Sequence, residues 1–269
     1  ERYGVRRIVL EGGRVAGGDD ARFMSDVALR LETKALFGRD AGKLRIGQMK
    51  LPLGFEGNTG TRHVSMMEPS LPTQAFYQGR RSGIDWAFER ARYIANVGYF
   101  FESDLQGNNK GDTAAFRLAW TPRKAAGDVL HLGIAGSRER PDSEVNGLGV
   151  TVHPSVRWRA RPEAALTSVR LVDSGTLTRV DRIERTALEA LWIHGPWSLQ
   201  GEYLQQTTRR HALPYYRSDG WYLAGSWLLT GCFLAIGSCM SALAKNQVIA
   251  FILCVSVCLL FILSGFPLV

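Results

Sequence analysis

The sequence predicts an all-β chain, a transmembrane antiparallel β-barrel present in part, followed by two apolar transmembrane-type helices. Three observations carry this prediction. Many segments of about ten residues alternate apolar and polar side chains; tryptophans recur near the ends of those segments; and the last stretch changes character abruptly. From Trp221 to Val269 the only charge is Lys245, yet all 4 cysteines lie there, whereas the rest of the chain holds every other one of the 33 Lys and Arg and all 25 Asp and Glu.

Each strand is justified by its period of two, because successive side chains of an extended chain point to opposite faces. Tyr93, Ala95, Val97, Tyr99 and Phe101 share one face after a turn at Glu89-Arg90-Ala91. Ala114, Phe116, Leu118 and Trp120 share another, with Arg117 opposed and a stop expected at Pro122. Leu130, Leu132 and Ile134 oppose His131, Gly133 and Ala135, and turns are expected at 106–112 and at Glu139-Arg140-Pro141-Asp142. The sharpest alternation runs from Gly149 to Arg161, with Val150, Val152, Pro154, Val156, Trp158 and Ala160 against Thr151, His153, Ser155, Arg157, Arg159 and Arg161. Trp197, Leu199, Gly201 and Tyr203 oppose Ser198, Gln200 and Glu202.

Two architectures accommodate such strands. A soluble sandwich buries the apolar face; a transmembrane barrel turns it to lipid, keeps a polar lumen and sets aromatic girdles at both interfaces. Trp86, Trp120, Trp158, Trp192, Trp197 and Trp221 fall near strand ends or flanks, and small residues (Ala95, Ala114, Ala160, Gly201) interrupt the apolar faces, which favours the barrel.

The chain's net charge of +8, all but Lys245 of it spread along the body, points to a surface or pore that attracts anions. No zinc-finger, RRM or recognition-helix pattern supports nucleic acid as a partner. No acid, base and nucleophile recur at a spacing that assembles a catalytic site, so no enzyme is expected. No metal or cofactor is expected either: Cys232, Cys239, Cys254 and Cys258 lie among apolar residues without CxxC spacing, as inert buried thiols do. His131 and His153 are single histidines on polar faces.

One stretch goes beyond pattern. Lys43-Leu44-Arg45-Ile46-Gly47-Gln48-Met49-Lys50-Leu51-Pro52-Leu53-Gly54 leads through Met67-Glu68-Pro69-Ser70-Leu71-Pro72 to Gly79-Arg80-Arg81-Ser82-Gly83-Ile84. This resembles the phosphate-selective porin O and P family, in which a strand of the form lRlGQfK-P precedes a loop with ER-LP and then GRR-G; Pro69 stands where an Arg is common. Segments 192–203 and 220–231 are similar to the family's closing strands. The likeness covers about residues 40–231, and 1–40 more weakly. It implies a bacterial outer-membrane barrel, homotrimeric and 16-stranded when complete, that passes small phosphate-like anions by diffusion. Lumen arginines and lysines line the anion path in that family. The expected residues here are Arg157, Arg159 and Arg161 as a row on one strand, Arg80 and Arg81 in an inward loop at a constriction, and Arg117 and Lys50. Guanidinium forks match phosphate oxygens, and rings of Arg or Lys confer anion selectivity.

The tail does not suit a barrel. Val248–Phe266 runs without a charge for about the hydrocarbon thickness of a bilayer as helix, and Lys245-Asn246-Gln247 reads as a turn after a first span. Residues 232–269 resemble the permease subunits of type-2 ABC exporters, through Ala235-Ile236-Gly237, Ser241-Ala242-Leu243 and Asn246-Gln247. That resemblance implies an inner-membrane segment and, if the tail defines the protein, an ATPase subunit as partner. Since the chain opens at Glu1 and stops within apolar sequence, both ends are expected to be cut, and a seam between two gene fragments is expected near 225–231. The domain expectation is therefore residues 1–231 as partial barrel and 232–269 as helical segment. The rival readings are a permease fragment and a soluble β-sandwich binding module.

Overall fold

The computed structural model describes residues 5–14, 22–34, 38, 40–60, 66, 68–101, 111–162 and 169–227, with side chains placed from residue 27 onward. The expected tail helices at 232–269, and the cysteines, lie outside the described residues. Among the described residues no helix is long and apolar enough to cross a membrane.

Ten strands form one antiparallel meander. They are β1 (Val5–Arg14), β2 (Arg22–Glu32), β3 (Lys43–Lys50), β4 (Arg80–Glu89), β5 (Tyr93–Phe100), β6 (Gly111–Ala125), β7 (Asp128–Pro141), β12 (Val180–His194), β13 (Trp197–Arg210) and β14 (Leu213–Trp227). Each hydrogen-bonds to the next in that order, so β7 and β12 are sheet neighbours although 38 residues, 142–179, separate them in the chain. That insertion carries two small two-stranded sheets, β8 (Glu144–Val145) with β9 (Thr151–Val152), and β10 (Arg159–Ala160) with β11 (Val172–Asp173). The segment 51–79, between β3 and β4, carries helix α1 (Leu71–Phe76), whose first turn accommodates Pro72 because no hydrogen bond is asked of its nitrogen there.

The connections differ at the two ends of the sheet. Residues 33–42, 90–92, 126–127 and 195–196 lie at one end, where Arg90 Nη1 donates to Asp40 Oδ2 at 2.9 Å and the Gly195 amide donates to the Gly127 carbonyl at 2.8 Å. The long segments 51–79 and 142–179 leave from the other end, as does the tight 211–212 turn, and both fold back over one face of the sheet: Phe76 meets Trp158 edge-on, and Trp158 reaches Thr208 on β13.

The two faces are inverted relative to a soluble protein. Ile84, Val97, Phe116, Leu118, Leu132, Ile134, Leu188, Leu199 and Leu223 are exposed, whereas Arg81, Asp85, Glu139, Arg185, Glu189 and Glu202 on the opposite face are buried beneath the folded-back segments. A soluble sandwich would bury the first set and solvate the second. This face distribution contradicts the sandwich reading and is the one a lipid-facing wall demands. Along the short-turn end, Trp86 stacks on Phe88, and Tyr93, Trp120, Trp192, Trp197 and Trp227 continue an outward aromatic row; Trp197 and Trp227 stack at 5.6 Å between centroids.

The expected faces of the strands at 93–100, 114–120, 130–135 and 197–203 are observed. Four expectations are corrected. Residues 149–161 are not one strand: after β9 the chain turns inward, pairs through a lone Val156–Leu177 bridge, and forms β10. Trp158 and Ala160 are buried inside rather than facing lipid, at 6% and 1% exposure. Pro122 does not end β6; a register irregularity between Trp120 and Arg123 absorbs its missing N–H, and the strand runs on to Ala125. Nor do Glu139, Arg140 and Pro141 form a turn, since β7 continues through Pro141 opposite Gly111.

Candidate functional site: the covered polar face

Strand alternation puts a row of charged residues on the inner face, and the two long segments cover it. On β4, Arg81 is fully buried: its Nη1 donates to Glu139 Oε1 at 3.2 Å and to Thr113 Oγ1 at 2.7 Å, and its Nη2 donates to the Gly111 carbonyl. Glu139 accepts a second guanidinium through its other oxygen, Arg185 Nη1 at 2.8 Å. One carboxylate thus holds two arginines from β4 and β12. Farther along the same face, Arg117 donates to Glu189 (Nη2 to Oε1 2.7 Å), and His131 Nε2 lies 2.9 Å from the same oxygen. Arg45 and Asp85 pair across β3 and β4, with Nε to Oδ1 at 2.5 Å.

The first covering segment is tied down by carboxylates. Glu202 of β13 accepts the Phe55 amide, the Glu56 amide at 3.0 Å and the Tyr222 hydroxyl at 2.9 Å. Gly54 has φ 74°, a left-handed conformation that side chains rarely adopt, and a Cβ there would stand 2.9 Å from Glu202 Oε1. Glu56 in turn accepts the Ser70 amide at 3.0 Å and the Ser70 hydroxyl at 2.6 Å, closing the loop on itself. Lys50 Nζ donates to the carbonyls of Gly57 and Thr59, both at 3.1 Å. The Phe55 ring lies against His131, 5.4 Å between centroids.

The second covering segment is seated by Trp158. Its indole Nε1 donates to Thr208 Oγ1 at 3.1 Å, its ring meets Phe76 edge-on, and the Arg185 guanidinium sits 5.1 Å from its centroid. Beside it Arg157, Arg159, Arg161 and Arg170 gather around one carboxylate, Asp173. Arg157 takes that partner, with Nε to Oδ1 at 2.7 Å and Nη2 to Oδ2 at 2.5 Å. The two bonds from Arg157, joined by the Gly175 amide, hold Asp173 down at about 2. Arg159 is exposed; Arg161 is half-buried and its backbone amide donates to Gln74 Oε1 at 3.2 Å. Neither they nor Arg170 has an ion-pair partner among the described residues. Partial burial first, then the neighbouring cations of Arg161 and Arg159, lowers the pKa of Arg170.

The expected site residues are thus divided. Arg157, Arg159 and Arg161 stay together, but on an inward-folded insertion, not along a wall strand. Arg80 and Arg81 are not in a loop: they open β4, Arg80 in register with Lys50 and Arg81 with Met49. Arg81 and Arg117 are neutralised by carboxylates, and Lys50 caps loop carbonyls. Arg170, Arg185, Glu139, Glu189 and Glu202 were not anticipated. The alternation Ile183, Arg185, Ala187, Glu189 against Leu188, Ala190 and Trp192 was a signal that could have found two of them, Arg185 and Glu189. Among the described residues no three His, Cys, Asp or Glu side chains gather to hold a metal.

The family model for phosphate-selective porin O and P matches residues 12–235. No curated protein matches the chain. Among solved structures the chain is similar to in-vitro folded OmpT, an outer membrane protein of Vibrio cholerae, at 12% identity and a TM-score of 0.48, covering 78% of this chain and 55% of that one. It is similar as well to the trimer form of in-vitro folded OmpT of Vibrio cholerae, at 13% identity and a TM-score of 0.46, covering 82% and 59%. The chain therefore spans a little over half the length of these structures.

Proposed function

Because the chain belongs to the phosphate-selective porin O and P family, we propose that it forms part of the wall and both inward segments of an outer-membrane pore passing small anions such as phosphate by diffusion. The reading is of a channel, not an enzyme: the inner face holds paired charges and no reacting constellation. The observation that carries it is the arginine cluster Arg157, Arg159, Arg161 and Arg170 with, among the described residues, the single carboxylate Asp173, on a segment folded over the polar face of a sheet whose other face is apolar and exposed. Uncompensated guanidinium groups beside a water-filled path concentrate anions and exclude cations.

In this reading Arg159, Arg161 and Arg170 meet the passing anion, and Arg157 sets the local field through its bond to Asp173. Arg80 and Lys50 stand at the rim of the covered face, while Arg81 and Arg117 hold the wall rather than the ion. The short-turn end faces the periplasm and the long segments enter from outside, as is general for such barrels. A complete barrel closes with strands beyond the ten described and assembles as a homotrimer. The porin part is residues 1–231, and the tail belongs to a separate, inner-membrane type of segment; the family match, which ends at 235, supports that division.

Planar-bilayer recordings across a salt gradient test the proposal. The reversal potential is expected to report anion preference, and Arg159→Gln with Arg161→Gln is expected to reduce it. Cation preference in the parent protein, or an unchanged reversal potential in the double variant, sinks it.

A further inference from the structure

On the outward face, β7, β12, β13 and β14 enclose a groove of about 580 Å³, lined by Leu130, Leu132, Leu188, Trp192, Leu199 and Leu223. That volume falls within the roughly 300–1,000 Å³ of small-molecule sites. The groove exists because Gly201 faces outward on β13: a Cβ there would already stand 3.2 Å from Leu223 Cδ1. At its short-turn end the groove meets charge. Arg123 is the cross-strand neighbour of Leu130, which is the neighbour of Trp192, and Asp128 is the neighbour of His194. Trp192, which stacks on His194 at 6.0 Å and 13°, belongs to the outward aromatic row of the short-turn end, and such rows sit where amphipathic rings meet lipid headgroups. Asp128 Oδ1 is buried, 3.6 Å from Arg123 Nη1 and 3.6 Å from His194 Nδ1, too far for a hydrogen bond, while the side chain is 37% exposed, which leaves its other oxygen, Oδ2, open to a donor.

An apolar groove ending at a cation and an under-used carboxylate is complementary to a zwitterion that carries an acyl chain. We propose that this groove holds one zwitterionic phospholipid bearing a primary ammonium, its acyl chain along Leu132, Leu188 and Leu199, its phosphate on Arg123 and its ammonium donating to the Asp128 carboxylate. The proposal rests on the outward face being the lipid-facing one. A choline headgroup has no N–H to donate, and a glycerol headgroup has no cation, so the carboxylate discriminates among lipids that the groove alone would accept.

The test extracts the full chain from membranes in a mild non-ionic detergent and follows adducts by native mass spectrometry with phosphatidylethanolamine, phosphatidylcholine and phosphatidylglycerol in turn. The ethanolamine lipid is expected to be retained about tenfold more than the choline lipid, the equivalent of one charged hydrogen bond. Asp128→Asn, an isosteric change at the first residue of β7, should abolish that preference without loss of fold. Gly201→Leu should lower retention of all three lipids. Arg123→Gln should do the same from the headgroup end. Equal retention of the three lipids, a preference that survives Asp128→Asn, or a lipid-free mass of two chains that Gly201→Leu dissociates overturns the proposal. Failure of the membrane reading is separable, because the protein would then appear outside the detergent-extracted membrane fraction.

Discussion

The guanidinium of Arg185 lies over the indole of Trp158, 5.1 Å from its centroid, while its Nη1 donates to Glu139. A residue of the wall thus reads the position of a residue in an inserted segment, and Phe76 of the other inserted segment leans on the same ring. Trp158→Ala removes both ring contacts and the bond to Thr208. Truncations of this kind cost about 3–5 kcal/mol, so thermal unfolding in detergent should show a marked loss, with larger and noisier single-channel conductance. Trp221→Ala, at a position 70% exposed on the outer face, should do much less.

Glu139 is shared by Arg81 and Arg185, and Glu139→Gln takes that charged acceptor away from two buried cations. Breaking a buried pair costs on the order of 3–5 kcal/mol. Adding Arg81→Met and Arg185→Met to that variant should recover much of the stability by removing the buried cations that shared Glu139, which chemical denaturation of the three proteins would measure.

Glu202 fastens the 51–79 segment to β13 through two backbone amides. Glu202→Ala strips these acceptors away at roughly 1–3 kcal/mol for donors left unmet. Limited proteolysis should then cut within 54–60 while β13 and β14 stay protected. Protection of the segment equal to that in the parent protein would show that Glu202 is not its fastening.

Asp173 titrates at about 2, below its ordinary 3.8, because Arg157 and the Gly175 amide favour the carboxylate. A depressed folded pKa means the stabilisation is fully present above 3.8 and is lost as pH falls toward 2. Protonation over that window also releases the charge of Arg157. Anion preference should therefore rise between pH 3.8 and about 2, whereas Asp173→Asn should show the higher preference already at neutral pH and no change across the window.

Much of the wall was legible. Phe116, Leu118 and Trp120 against Arg117, or Leu130 and Leu132 against His131, announce a strand and its two faces by alternation alone. The segment 149–161 was misread by the same rule. Its alternation is genuine from Val156 to Ala160, but what buries Trp158 is the inner face of β12 and β13, not lipid. Pro154 was the available warning: lacking an N–H, it cannot serve a central strand, and here only its carbonyl is used, by the Val180 amide.

The sequence by itself determined that this is a β protein with one apolar and one polar face, an anion-attracting charge and a family likeness in its strands. Those properties follow from side-chain period and composition, which are local. Only the tertiary structure decided which cations remain available. Whether an arginine meets a carboxylate depends on strands brought together from positions such as 81, 139 and 185, and on where the two long segments fold. Period two assigns a face to each residue, but it says nothing about what lies opposite.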